Sequence, residues 1–139
     1  MAAMNTPKPF GKVNSYRDLV VWQKSRSLAT EAYRLCMTPS FERHRGLSDQ
    51  IMRSAVSIPS NIAEGDERGT NKDALRFLLI ARGSLAELET QLSIAEDLGI
   101  IPQPVVGPIA AQLDEVARLL GGTIKMRKVR EDQREQPLP

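Results

Sequence analysis

Apolar or small side chains return at steps of three and four in four separate stretches of this chain, the spacing that places them on one face of an α-helix. The first stretch carries Leu19, Trp22, Ser25, Ala29, Ala32 and Cys36, opens at Ser15 with Asp18 three positions on, and closes near Met37 before Thr38-Pro39. The second carries Leu47, Ile51, Ala55, Ile58 and Ile62 and stops at Gly65. Thr70 and Asp73 mark the start of the third, which carries Ala74, Phe77, Ala81, Leu85, Leu88, Leu92 and Ala95 and ends at Gly99. A helix over 71–98 would be about 42 Å long. The fourth begins near Pro108, a residue suited to a first helical turn, with a face of Ile109, Leu113, Val116, Leu120 and Ile124. No strand-like alternation competes over any length. The pattern predicts an all-α fold, an up-down-up-down four-helix bundle joined by short links, with an irregular all-α domain as the alternative.

The expected organisation is a loose arm over 1–14, rich in Pro, Gly and Asn, a bundle domain over 15–128, and a disordered charged tail over 129–139. The polar segment from Ser40 to Gly46 reads as a loop or a short turn. Pro59 is the irregularity. It falls inside the second stretch, yet the apolar phase continues on both sides, which predicts a kinked but continuous helix. Ser57 and Ser60 are placed to bond backbone groups freed at the bend. The kink either lets the helix wrap around its neighbours or aims Asn61 and Glu64 at a partner chain.

Composition agrees with helix packing. Apolar residues make up 41% of the 139 residues and aromatics 4%, so Leu, Ile, Val and Ala must build the core. No run approaches the roughly 20 apolar residues of a membrane span, and the N-terminus lacks the apolar core of a signal peptide. The expected setting is cytoplasmic, with no membrane partner. Cys36 is the single cysteine, so no intramolecular disulfide forms, and its place on an apolar face predicts a buried, inert thiol.

The run LSDQIMRSAVSIPSNIAEG, with YRDLVVWQKSRSLATEAYRL before it and GSLAELETQLSIAEDLG after it, resembles the four-helix-bundle proteins encoded in intervening sequences of bacterial 23S ribosomal RNA genes. The resemblance spans roughly residues 15–126 and leaves out the arm and the tail. It implies a bundle that assembles as a ring-shaped homopentamer. The accessory variability proteins of diversity-generating retroelements are similar in fold, and their basic surface binds nucleic acid and a reverse transcriptase. No further feature of this chain places it with that group.

The residues offer little for catalysis. His44, the only histidine, lies in a charged loop, and one Cys with one His excludes a zinc cluster of Cys/His type. No Glu-x-x-His motif is present for a di-iron site in the bundle, and Gly65-Asp-Glu-Arg-Gly69 lacks the Gly-Lys-Ser/Thr ending of a phosphate loop. The expectation is a non-enzyme with no cofactor and no metal.

Charge and apolar width point elsewhere. Residues 1–65 carry nine Lys/Arg against five Asp/Glu, whereas 66–139 carry ten against twelve. The basic residues Arg17, Lys24, Arg26, Arg53, Lys72, Arg76, Lys125, Arg127 and Lys128 are candidate contacts to nucleic acid phosphates. Such runs ordinarily form a solvated face, but a ring of several copies would multiply a modest stripe into a strong local potential. Leu19–Trp22 and Phe77–Ile80 are each four apolar residues in a row, wider than one buried stripe, which predicts self-association. Trp22, Pro59, Asn61 and Glu64 are the candidate interface or kink residues. Two functions follow as expectations: a homo-oligomeric bundle binding RNA or DNA, or an adaptor presenting Glu87, Glu89, Glu96, Asp97, Asp114 and Glu115 to a protein partner.

Overall fold

The computed structural model describes residues 15–135. Its elements are a 3-10 turn Tyr16–Asp18, α1 Val20–Cys36, a second 3-10 turn Pro39–Phe41, α2 Arg45–Glu67, α3 Asn71–Asp97 and α4 Gln103–Glu135. Each helix packs on its chain neighbours and α4 returns to α1, which closes an antiparallel four-helix bundle. The N-terminus of α1 and the C-terminus of α2 therefore share one end with the start of α3 and the end of α4. We call it the terminal end, and the other the loop end.

The core follows the expected faces. Leu28, Ala32, Ile51, Ala55, Ile58, Ala81, Leu88, Ala95 and Leu120 are fully enclosed. Loops seal the loop end. Phe41 from the second 3-10 turn and Ile100 and Ile101 from the α3–α4 link are all buried in the same cluster. The segment Ser40–Gly46 is thus more than a polar connection: it delivers an aromatic ring to the core, and α2 already begins at Arg45.

Helix ends show why the boundaries fall where they do. Thr70 caps α3 by accepting a hydrogen bond from the Asp73 amide at 3.1 Å. At the other end Gly99 adopts φ 69°, its amide donates to the Glu96 carbonyl, and the Ile100 amide donates to the Ala95 carbonyl. That pair of bonds is a Schellman closure, and it needs the left-handed conformation glycine allows. Ser15 caps the 3-10 turn and not α1, because extended Leu19 separates the two.

Three boundaries differ from the sequence expectation. Helix α2 ends at Glu67 and not at Gly65. Gly65 is buried inside the helix, where a Cβ would lie 2.7 Å from the Phe77 Cβ and 3.2 Å from the Ala74 Cα. It permits close approach of α2 and α3 and does not cap a helix. Helix α4 starts at Gln103, five residues before Pro108. Pro104 occupies a first-turn position whose amide has no intrahelical acceptor, so only Pro108 removes a bond. Helix α4 also continues to Glu135 through residues expected to form a disordered tail, so the tail assigned to 129–139 is helical over 129–135. Its Asn71 tie, described below, supplies the reason. Residues 136–139 and the arm over 1–14 lie outside the described residues.

Helix α2 passes through Pro59 without interruption. The proline deprives the Ala55 carbonyl of its donor. No side chain among the described residues bonds that carbonyl, so the expected role of Ser57 and Ser60 at the freed backbone is not seen; beside the bend, the Asn61 side-chain amide donates to the Ser57 carbonyl at 2.8 Å and to the Ser57 hydroxyl at 2.9 Å. Ser57 in turn shares a hydrogen bond with Ser84 of α3 at 2.8 Å. Ser60 is exposed. Pro59→Ala restores one backbone bond and removes ring crowding that costs about 3 kcal/mol in an ideal helix; lost rigidity of the unfolded chain offsets part of this. Chemical denaturation should show the variant more stable by about 1–2 kcal/mol, and a loss of stability would mean that the ring packs a groove the helix depends on.

Candidate nucleic-acid interface

The antiparallel order brings six of the nine candidate cations to the terminal end: Arg17 from the first 3-10 turn, Lys72 and Arg76 from α3, and Lys125, Arg127 and Lys128 from α4. Arg68, just past α2, joins them. Lys24 and Arg26 both sit within the first two turns of α1, and Arg53 lies on α2 toward the loop end. The sequence reading missed Arg68, although a helical step of three from Gly65 leads to it.

These side chains are not equivalent. The Arg17 and Arg26 guanidinium carbons lie 5.2 Å and 5.5 Å from the Trp22 ring centre, and Tyr16 meets the indole edge-on at 5.2 Å. Trp22 is itself buried, so its ring is a support for two cations and not a free platform for a base. Arg68 and Arg76 each lie 4.8 Å from the Phe77 ring centre. Arg76 also stands 3.8 Å from Asp73, and Arg68 is 3.0 Å from Glu64. Both pairs are exposed and contribute little to stability. Lys24 reaches Glu115 of α4 at 3.4 Å.

Arg127 is drawn inward. It donates to the Asn71 side-chain oxygen at 3.2 Å and pairs with Asp66 at 3.6 Å, and its side chain is 19% exposed. The Asn71 amide closes the arrangement on the Arg127 carbonyl at 3.0 Å and on Glu131 at 2.9 Å. Nε of Arg127 is buried with no partner among the described residues. This residue ties α2, α3 and α4 together and has little left to offer a ligand. Lys72, Lys125 and Lys128 are different: all three are exposed and form no ion pair among the described residues. Among the six candidates at this end they are the cations most available to phosphate; Arg130 and Arg134, farther along α4, are likewise exposed. Asp66, Glu67, Asp73 and Glu131 intersperse the same end, so the potential there is mixed in sign.

The interface and kink candidates have internal partners. Asn61 turns back onto Ser57, Glu64 binds Arg68, Trp22 is buried, and Pro59 lines a groove with Arg26, Ala29, Thr30, Tyr33, Arg34 and Val56. That groove has a volume of about 350 Å³. A second, polar groove lies between α2 and α3, where the Ser54 hydroxyl donates to the Gln91 side-chain oxygen at 2.6 Å beside Arg53 and Glu87. A smaller cleft of about 150 Å³ between α3 and α4 places Glu89, Glu96 and Asp114 around Ile101, Val106 and Ile109.

The wide apolar runs divide. Val21 and Leu78 are buried within the bundle, whereas Val20, Leu79 and Ile80 remain exposed. Cys36 is buried, its thiol facing the Ser48 carbonyl at 3.7 Å, and burial raises its pKa. Among the described residues no group of three or more His, Cys, Asp or Glu side chains is placed to hold a metal ion, and no helix is long and apolar enough to cross a membrane.

Residues 17–122 match the family model of the 23S rRNA-intervening sequence protein. Among solved structures, the chain is similar to a Bacteroides thetaiotaomicron protein of unknown function from the S23 ribosomal protein family. The two are 28% identical, with a TM-score of 0.68 over 76% of this chain and 99% of that one. No curated protein matches the chain.

Proposed function

The chain belongs to the 23S rRNA-intervening sequence protein family, and from that premise we propose that it is a non-catalytic, cytoplasmic bundle that self-associates into a ring, a pentamer by resemblance, and binds RNA or DNA phosphates at its terminal end. The observation that carries the reading is the convergence there of exposed Lys72, Lys125 and Lys128, without ion pairs among the described residues, beside Arg17, Arg68 and Arg76. One copy offers a mixed potential. Several copies around an axis would set these lysines in a repeating circle, where their fields add. Exposed Val20, Leu79 and Ile80 support association, since a lone bundle leaves them wet.

Contacts of this kind are sequence-independent and release counterions. The affinity for a labelled structured RNA should fall by about tenfold or more between 50 and 200 mM salt. The triple variant Lys72→Glu, Lys125→Glu, Lys128→Glu should weaken it at least as much at fixed salt. Binding unchanged by either would refute the nucleic acid part. Arg127→Ala is the contrasting variant: it should lower stability while leaving the salt slope alone.

The acid-rimmed cleft between α3 and α4 supports the second reading, an adaptor for a basic protein segment. Glu89, Glu96 and Asp114 surround an apolar floor there, and a pull-down whose partners survive nuclease treatment would favour it.

A further inference from the structure

The groove between α1 and α2 combines an apolar floor with charged ends. Tyr33 and Val56 are 45% and 46% exposed, and Ala29 and Pro59 line the space between them. Arg26 and Arg34 border it on α1, eight residues and so about 12 Å apart along the axis; Arg34 also pairs with Glu31 at 2.9 Å, an exposed pair of little strength that the incoming acid must displace or share. A face of α3 has the opposite charges on a similar plan. Glu87, Thr90, Ile94 and Asp97 follow steps of three and four and are all exposed, with Leu98 alongside. The two acids stand about 15 Å apart and bracket Ile94, itself 44% exposed. Neither Glu87 nor Asp97 has an ion-pair partner among the described residues.

We infer that the α1–α2 groove of one copy receives the Glu87–Asp97 face of α3 from a second copy, Arg26 and Arg34 meeting the two acids while Ile94 and Leu98 cover Tyr33 and Val56. The inference rests on the self-association proposed above and names the surfaces that meet. Groove and face lie on different sides of the same bundle, so the contact is head-to-tail: an open chain of copies keeps one free groove at one end and one free face at the other until it closes. Such a contact makes a ring when the rotation between copies divides a full turn, and a filament otherwise. The paired charges fix which face enters the groove, because a basic face would be repelled. The lysines of the terminal end stay outside this contact and remain open to phosphate.

Charge reversal tests it. Arg26→Glu with Arg34→Glu should weaken self-association by about 100-fold or more in sedimentation or light scattering, and so should Glu87→Arg with Asp97→Arg. The chain carrying all four changes should regain it, since its groove and face are again complementary. Circular dichroism confirms that each variant is folded. Independently of those charges, Thr30→Cys and Thr90→Cys chains mixed under mild oxidation should give a covalent heterodimer through the middle of the contact, with buried Cys36 uninvolved. An oligomeric wild type whose double variants stay assembled, or whose fourfold variant does not recover, would overturn this pairing and leave the ring reading intact. A monomeric wild type at tens of micromolar would overturn both.

Discussion

Phe41→Ala should lower the stability of this bundle by about 3–5 kcal/mol. The ring is 1% exposed and belongs to the central apolar cluster. It enters from a three-residue turn pinned by backbone bonds from the Phe41 amide to the Thr38 carbonyl at 3.1 Å and from the His44 amide to the Phe41 carbonyl at 2.9 Å. The α1–α2 link would lose its only buried anchor, and water would reach the loop end beside Ile100 and Ile101. Denaturant titration followed by circular dichroism measures the change. A loss below about 1 kcal/mol would mean that the turn is only loosely seated.

Gly65→Val should cost about 3 kcal/mol, by overpacking where Phe41→Ala underpacks. The new Cβ would press within 2.7 Å of the Phe77 Cβ, an atom fixed to the backbone of α3, with the Ala74 carbonyl oxygen at 3.3 Å on the same side. No flexible side-chain end is there to swing away, so α2 and α3 must separate. The separation would spread: Phe77 carries the Arg68 and Arg76 guanidinium groups on its ring, and Asn71 at the start of α3 holds α4. The variant should therefore weaken RNA binding as well as the fold, at the end where the lysines converge. Helix propensity favours the opposite sign only slightly, since glycine is a poorer helix former than valine by about a few tenths of a kcal/mol. A more stable Gly65→Val protein would show that the close approach of α2 and α3 is easily relaxed.

These residues mark the limit of what periodicity reveals. The buried faces of α1, α2 and α3 were legible because their contacts repeat every three or four positions. The Thr70 cap and the Gly99 stop were legible because each answers a local backbone requirement. Phe41 was not, since one aromatic in a charged stretch has no period. Gly65 was misread because glycine signals a helix end and a tight crossing with the same letter, and only the partner helix tells them apart. The ends of α4 were missed for two reasons. Prolines in a first turn look like breakers but remove little bonding, and the charged run after Met126 has no apolar face to announce a helix. The nine candidate cations could be named one by one. Their sorting into exposed lysines, aromatic-backed arginines and the inward-turned Arg127 depends on which helices meet.

Asn71 bears on the far end of the chain more than its position suggests. The last three turns of α4 bury no apolar side chain after Ile124, so their order leans on the bonds Asn71 makes to Arg127 and Glu131, with the Arg127–Asp66 pair beside them. The residue that opens α3 thus doubles as a latch, and the charged rod beyond it stands or unravels with a catch sixty positions upstream in the polymer.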